Sequence, residues 1–147
     1  MDELVKILHD GHFSCVIRKG EEIRTYTRRG VTDLLDVLEY TPSFLHGSQV
    51  ADKVVGRGAA ALMILGQIAE VHADVISEGA KDLLLQANIC TTYETCVSHI
   101  INRAGTGQCP IEILCAPYTR PEDMLPKIQE FISDMKSQKI DPALSKH

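Results

Sequence analysis

Two stretches combine residue types and spacings that could do chemistry: ADKVVGRGAAAL, residues 51–62, and INRAGTGQCPIEIL, residues 101–114. In the first, the apolar spacing predicts a helix over 50–65, with Asp52 and Lys53 at its opening and Gly56 and Gly58 in its first turns. Free N–H groups and partial positive charge at a helix N-terminus attract anions. Asp52 suits that place. Lys53 does not, and each glycine costs about 1 kcal/mol relative to alanine in a helix interior. A ligand approaching closely would explain the pattern: Lys53 would offset its charge and Asp52 would accept a donor from it. For the two glycines, close packing of this helix on a sheet is the simpler explanation.

In the second stretch, Gly105 and Gly107 permit positive φ, so successive N–H groups can form an anion-binding nest next to Asn102. Pro110 fits the first turn of a helix and so places Cys109 at its N-cap. A thiol there can be shifted toward thiolate, which makes Cys109 the candidate nucleophile, with Glu112 as a nearby acid or base. A nucleophilic cysteine needs a base, and His72 and His99 are not brought close by the sequence. Cys109 as a small buried residue is the competing reading.

Metal chemistry finds little support. Cys90 and Cys96 lie six apart, as do Cys109 and Cys115, and that spacing matches no common structural zinc site. His72 and Asp74 share one face of an expected strand, where a core or surface role is the simpler explanation. No metal site and no cofactor are expected.

The elements that must position these residues follow from periodicity. Leu4, Val5, Ile7 and Leu8 mark a first helix closed by Gly11. HFSCVIRKG and EIRTYTRRG form a hairpin with Phe13, Cys15 and Ile17 on one face. A helix begins at Thr32 or Asp33 and breaks at Thr41-Pro42. EVHADVIS is a strand leading into the helix EGAKDLLLQAN, ICTTYET is another strand, and Pro121 to Lys139 is the last helix. Strand–helix–strand order from 70 to 95 implies parallel pairing, and the hairpin makes the sheet mixed. The fold class expected is α/β, a three-layer α/β/α sandwich. Glu78, where a strand runs into a helix, occupies a usual ligand position of such folds, beside Lys53 if two helices start side by side.

The 147 residues fit one domain, 1–140, with a frayed tail at 141–147. A net charge of −5 argues against nonspecific nucleic-acid binding. No run approaches the roughly 18 apolar residues of a membrane span. The N-terminus lacks the pattern of a signal peptide, and five cysteines without a disulfide framework point to reduced thiols and a cytoplasmic protein.

With FSCVIRKG, ADKVVGRGAAAL, VISEGAKDLL and INRAGTGQCPIE in place, the chain resembles the cytidine-deaminase-like superfamily, and within it a small uncharacterised bacterial family of that fold. The resemblance implies a mixed five-stranded sheet between helices. Zinc enzymes of that superfamily carry H-x-E at the start of the central helix and P-C-x-x-C at the next crossover helix. These positions fall here on Ala51-Asp52-Lys53 and Ser77-Glu78-Gly79-Ala80, which supply no zinc ligands, so zinc-dependent deamination is expected to be absent. The expectation is a domain binding a small anionic or nucleotide-like ligand through Asp52, Lys53, Gly56, Glu78, Asn102, Gly105 and Gly107. The alternatives are a Cys109-dependent transferase or sulfur carrier, and a noncatalytic homo-oligomeric interaction module.

Overall fold

The computed structural model describes residues 1–28, 31–101 and 109–140. Its elements are α1 (Asp2–Asp10), β1 (Cys15–Lys19), β2 (Glu22–Tyr26), α2 (Thr32–Tyr40), α3 (Pro42–Leu45), β3 (Gln49–Val55), α4 (Arg57–Leu65), β4 (Glu70–Ser77), α5 (Glu78–Gln86), β5 (Cys90–Val97), α6 (Pro110–Cys115) and α7 (Pro121–Ile140). The five strands form one sheet in the order β2-β1-β3-β4-β5. β1 is antiparallel to both β2 and β3, whereas β3–β4 and β4–β5 are parallel, so the sheet is mixed as expected.

One expectation is corrected. Residues 50–56 do not begin the central helix: 49–55 are the middle strand, and α4 starts only at Arg57 with Gly56 as its N-cap. The spacing of Val50, Val54 and Val55 suits a helical stripe, but Val is β-branched and favours a strand packed between neighbours. Here β3 has neighbours on both sides, with Asp52 opposite Cys15 and Ala73. Asp52 and Lys53 therefore sit within a strand, and the helix dipole invoked for them acts on Gly56 and Arg57 instead.

The helices divide unequally between the two faces. Leu34 and Leu35 of α2, Leu45 of α3, Leu62 and Met63 of α4, Leu84 of α5, Ile111 of α6 and Ile128 of α7 all join the main core with Ile17, Val50 and Val71 of the sheet. Among the described helices, α1 is the one that covers the opposite face, seating Leu4 and Leu8 on Val16 and Ala51. Leu4, Val5, Ile7 and Leu8 recur with helical spacing, so one stripe of a nine-residue helix serves that small cluster. Phe13, expected beside Cys15 and Ile17, packs on the α1 side instead, because the chain leaves α1 through Gly11, whose missing side chain makes room for the Phe13 ring.

Strict alternation fails once in each of the two inner parallel strands. Val50 and Val55 of β3, and Ala73 and Ile76 of β4, reach the same core although regular pleating would send each pair to opposite faces. At this irregularity the Asp52 carboxylate accepts the N–H of Val54 at 3.3 Å, and Val54 turns outward, 46% exposed.

Candidate functional site

The topology gathers one set of groups at one end of the sheet. β3 and β4 run in parallel with Val55 opposite Ile76, so the helices that follow them start side by side. Antiparallel pairing brings Cys15, at the start of β1, and Tyr26, at the end of β2, to the same end. Carboxyl ends of parallel strands are where open α/β sheets place their ligands.

Between the two helix mouths lies an ion pair with a buried carboxylate and a half-buried guanidinium. Glu112, on α6 and only 2% exposed, receives the backbone N–H of Arg57 on Oε1 and the Arg57 Nη1 on Oε2 at 3.1 Å. Its Oε1 also accepts the Ser77 hydroxyl at 3.3 Å, and the Ser77 Oγ in turn accepts the N–H of Ala80 at 3.2 Å as the N-cap of α5. A carboxylate placed here satisfies a free amide of α4 and faces the positive end of its dipole. The glycines now have a physical reason. A Cβ on Gly56 would collide with Glu112 Oε1, one on Gly58 with the Ile111 side chain, and one on Gly79 would stand 2.6 Å from the Arg57 guanidinium carbon. They make room for α6 and for the ion pair, which decides for close packing as their immediate role.

Asp52 is the second unusual group. It is buried, and desolvation pushes its carboxyl up to about 7, with Asp74 adding repulsion against the N–H bonds from Val54 and Lys53. Directly across, the Cys15 thiol is buried and is held well above its ordinary value by that burial, then by Asp52 and Asp33. Cys15 is thus a core thiol, in keeping with the strand pattern. Lys53 is half-buried, on the residue after Asp52, and its N–H bonds to the Ser14 carbonyl at 3.1 Å. Asp33, close enough to influence Cys15, is itself bound by Arg28, whose Nε lies 2.5 Å from Oδ1.

Cys109 is the N-cap of α6 with Pro110 at the first helical position, as its sequence context predicts. It is half-buried, and its N–H bonds to the Ile100 carbonyl at 2.9 Å. α6 and its N-cap bring together Cys109, Glu112 and Cys115, and burial followed by the Glu112 charge pushes the Cys115 thiol up to about 11. Glu78 opens α5 and is exposed, beside the Ser77 cap. Asn102, Gly105 and Gly107 lie outside the described residues.

Several functional groups escape sequence reasoning. Arg57 and Glu112 meet across 55 positions, and only the glycines at 56 and 79 hint that something must fit there. On the opposite face, His9 of α1 binds both Asp74 oxygens at 3.0 and 2.9 Å, and His72 binds Thr92 Oγ1 through Nδ1 at 2.8 Å. Among the described residues there is no cluster of three His, Cys, Asp or Glu able to hold a metal ion, and no helix long and apolar enough to cross a membrane.

Fold and site together define a small α/β domain with a mixed five-stranded sheet and two helix mouths joined by an ion pair at the carboxyl edge of its central strands. Residues 3–132 match the family described as Domain of unknown function (DUF1893), and the chain belongs to that family. Its structure is similar to that of a DUF1893 family protein (TM1506) from Thermotoga maritima, with a TM-score of 0.81 and 24% identity over 88% of this chain and 87% of that one. No curated protein matches.

Proposed function

We propose that this chain is a cytoplasmic, cytidine-deaminase-like domain that works without zinc and binds a small anionic or nucleotide-like ligand at the carboxyl ends of β3 and β4. The observation that carries the reading is the side-by-side start of α4 and α5, with the positive ends of two helix dipoles, a guanidinium and a desolvated carboxyl at one end of the sheet. Oriented N–H groups and Arg57 suit phosphate or carboxylate. Asp52, raised to about 7 and so divided between its protonated and ionised forms at neutral pH, can donate to a ligand as well as accept from it. Lys53 supplies further positive charge beside it, and Gly56 and Glu78 form the two rims.

Zinc does not fit this place. The two helix mouths read Gly56-Arg57-Gly58 and Ser77-Glu78-Gly79, with neither histidine nor cysteine, and the Arg57 cation reaches Glu112 between them. A metal ion would meet a positive charge and no soft ligand.

The test is a thermal-shift screen of nucleotides and phosphorylated metabolites, because a ligand bound to the folded state raises apparent stability. Saturable stabilisation by an anionic ligand, weakened in Lys53→Ala without loss of folding, is the expected result. A wild-type chain that no compound stabilises overturns the reading.

A second reading, a transferase or sulfur carrier using Cys109, is favoured by the half-buried position of that thiol at the start of α6. Its mark would be faster alkylation of Cys109 at neutral pH than of the exposed Cys90, and ordinary kinetics would remove it.

A further inference from the structure

The sheet face under α1 holds a second feature, remote in character from the ion pair on the other face. α1 crosses β1 and β3, and beyond its flank the open face of β4 and β5 forms the floor of a groove of about 530 Å³. A strand face turned to water ordinarily carries exposed polar residues, as Glu94 does here. His72 departs from that pattern. It is only 9% exposed, its Nδ1 is engaged by Thr92, and its Nε2 has no hydrogen-bond partner. A buried polar atom without a partner is rare and costly, and it commonly marks a place completed by another group.

That nitrogen is closed off from solvent, so a ligand reaches it only when the side chain over it swings aside. Glu94 Oε1 stands 3.6 Å from Nε2, too far for a good hydrogen bond. Glu94 is an exposed, adaptable side chain at the rim, while Asp2 and Glu70 add carboxylates to the lining. Glu70 is held by the Gln49 amide at 2.8 Å, and Asp74 is already taken by His9. Lys6 is the lysine of the lining. When Nδ1–H donates to the Thr92 hydroxyl, Nε2 offers a lone pair, so imidazole and carboxylate both present acceptors to the same point. A group that donates to both and carries positive charge completes the arrangement. The described residues place no third ligand for a metal ion there, which favours an organic cation.

We propose that the groove between α1 and the β4–β5 face is a binding site for a small organic amine, whose ammonium group sits between His72 Nε2 and the Glu94 carboxylate. Lys6 is the built-in competitor of such a ligand: its own ammonium shares the groove and repels the incoming one.

The probe is putrescine, titrated at pH 8 and constant ionic strength, with thermal shift and the nitrogen resonances of the His72 ring as readouts. Saturable stabilisation with a shift of Nε2 is expected. Glu94→Gln, an exposed substitution that leaves the core intact, is expected to lower affinity about tenfold, the worth of one charge-assisted hydrogen bond. Lys6→Gln raises it severalfold. The proposal is overturned if putrescine shows no saturable effect, if Glu94→Gln leaves its binding unchanged, or if Lys6→Gln weakens binding. Zinc chloride saturating the site where putrescine fails would likewise assign the groove to a metal ion.

Discussion

Arg57, half-buried, and Glu112, buried, form an ion pair that ties α6 to the mouths of α4 and α5, with Nη1 and Oε2 3.1 Å apart and the Arg57 backbone amide on the other carboxylate oxygen. Because Glu112 is nearly inaccessible, removing it strands a guanidinium, an amide and the Ser77 hydroxyl at once. Glu112→Ala is therefore expected to lower unfolding stability by about 3 kcal/mol or more, and Glu112→Gln by less, since an amide oxygen still accepts the Arg57 N–H. Gly56→Ala drives a methyl group into the same carboxylate and is expected to cost about 1–3 kcal/mol. Urea denaturation of the three variants gives the order. A Glu112→Ala protein as stable as wild type contradicts the account.

Asp52 makes stability depend on pH. Its carboxyl is raised in the folded chain from 3.8 to about 7, so the folded state holds that proton more tightly than the unfolded one. The contribution is fully present below about pH 4 and is lost as the pH climbs to about 7, amounting at most to roughly 4 kcal/mol. Asp52→Asn keeps the shape and removes the titration. Denaturation midpoints measured from pH 5 to 8 should fall for wild type more steeply than for the variant. Parallel profiles would show that Asp52 is not buried as described.

The five cysteines should separate by environment. Cys90 is exposed, Cys96 and Cys109 are half-buried, and Cys15 and Cys115 are buried with thiols pushed upward. Only the thiolate is alkylated, so iodoacetamide at pH 8 should label Cys90 first and leave Cys15 and Cys115 unmodified until the chain unfolds. Mass spectrometry of timed samples reads the order. Labelling of Cys15 as fast as Cys90 would contradict its place in the core.

The fold was largely legible in the sequence where one period ruled a segment. The hairpin, β4, α5, β5, the Cys109-Pro110 helix start and the last helix follow from alternation, helical spacing and caps. β3 was not, because Val50, Val54 and Val55 fit a helical stripe as well as a strand, and only pairing with β1 and β4 decides between them. That one error moved the helix mouth from Asp52 to Gly56. The candidate site was half legible. Asp52, Lys53, Gly56 and Glu78 do fall near the carboxyl ends of the central strands, but Arg57 with Glu112 and His72 with Glu94 depend on contacts between distant segments that local pattern does not encode.

Backbone amide chemical shifts test the central claim most directly. When the anionic ligand selected by thermal shift is titrated into the labelled protein, the largest changes should fall at Gly56, Arg57 and Ser77 to Ala80, with Asp52 and Lys53 following, and should saturate. Shifts that gather elsewhere, or that track ionic strength without saturating, would contradict a ligand site at the α4 and α5 mouths.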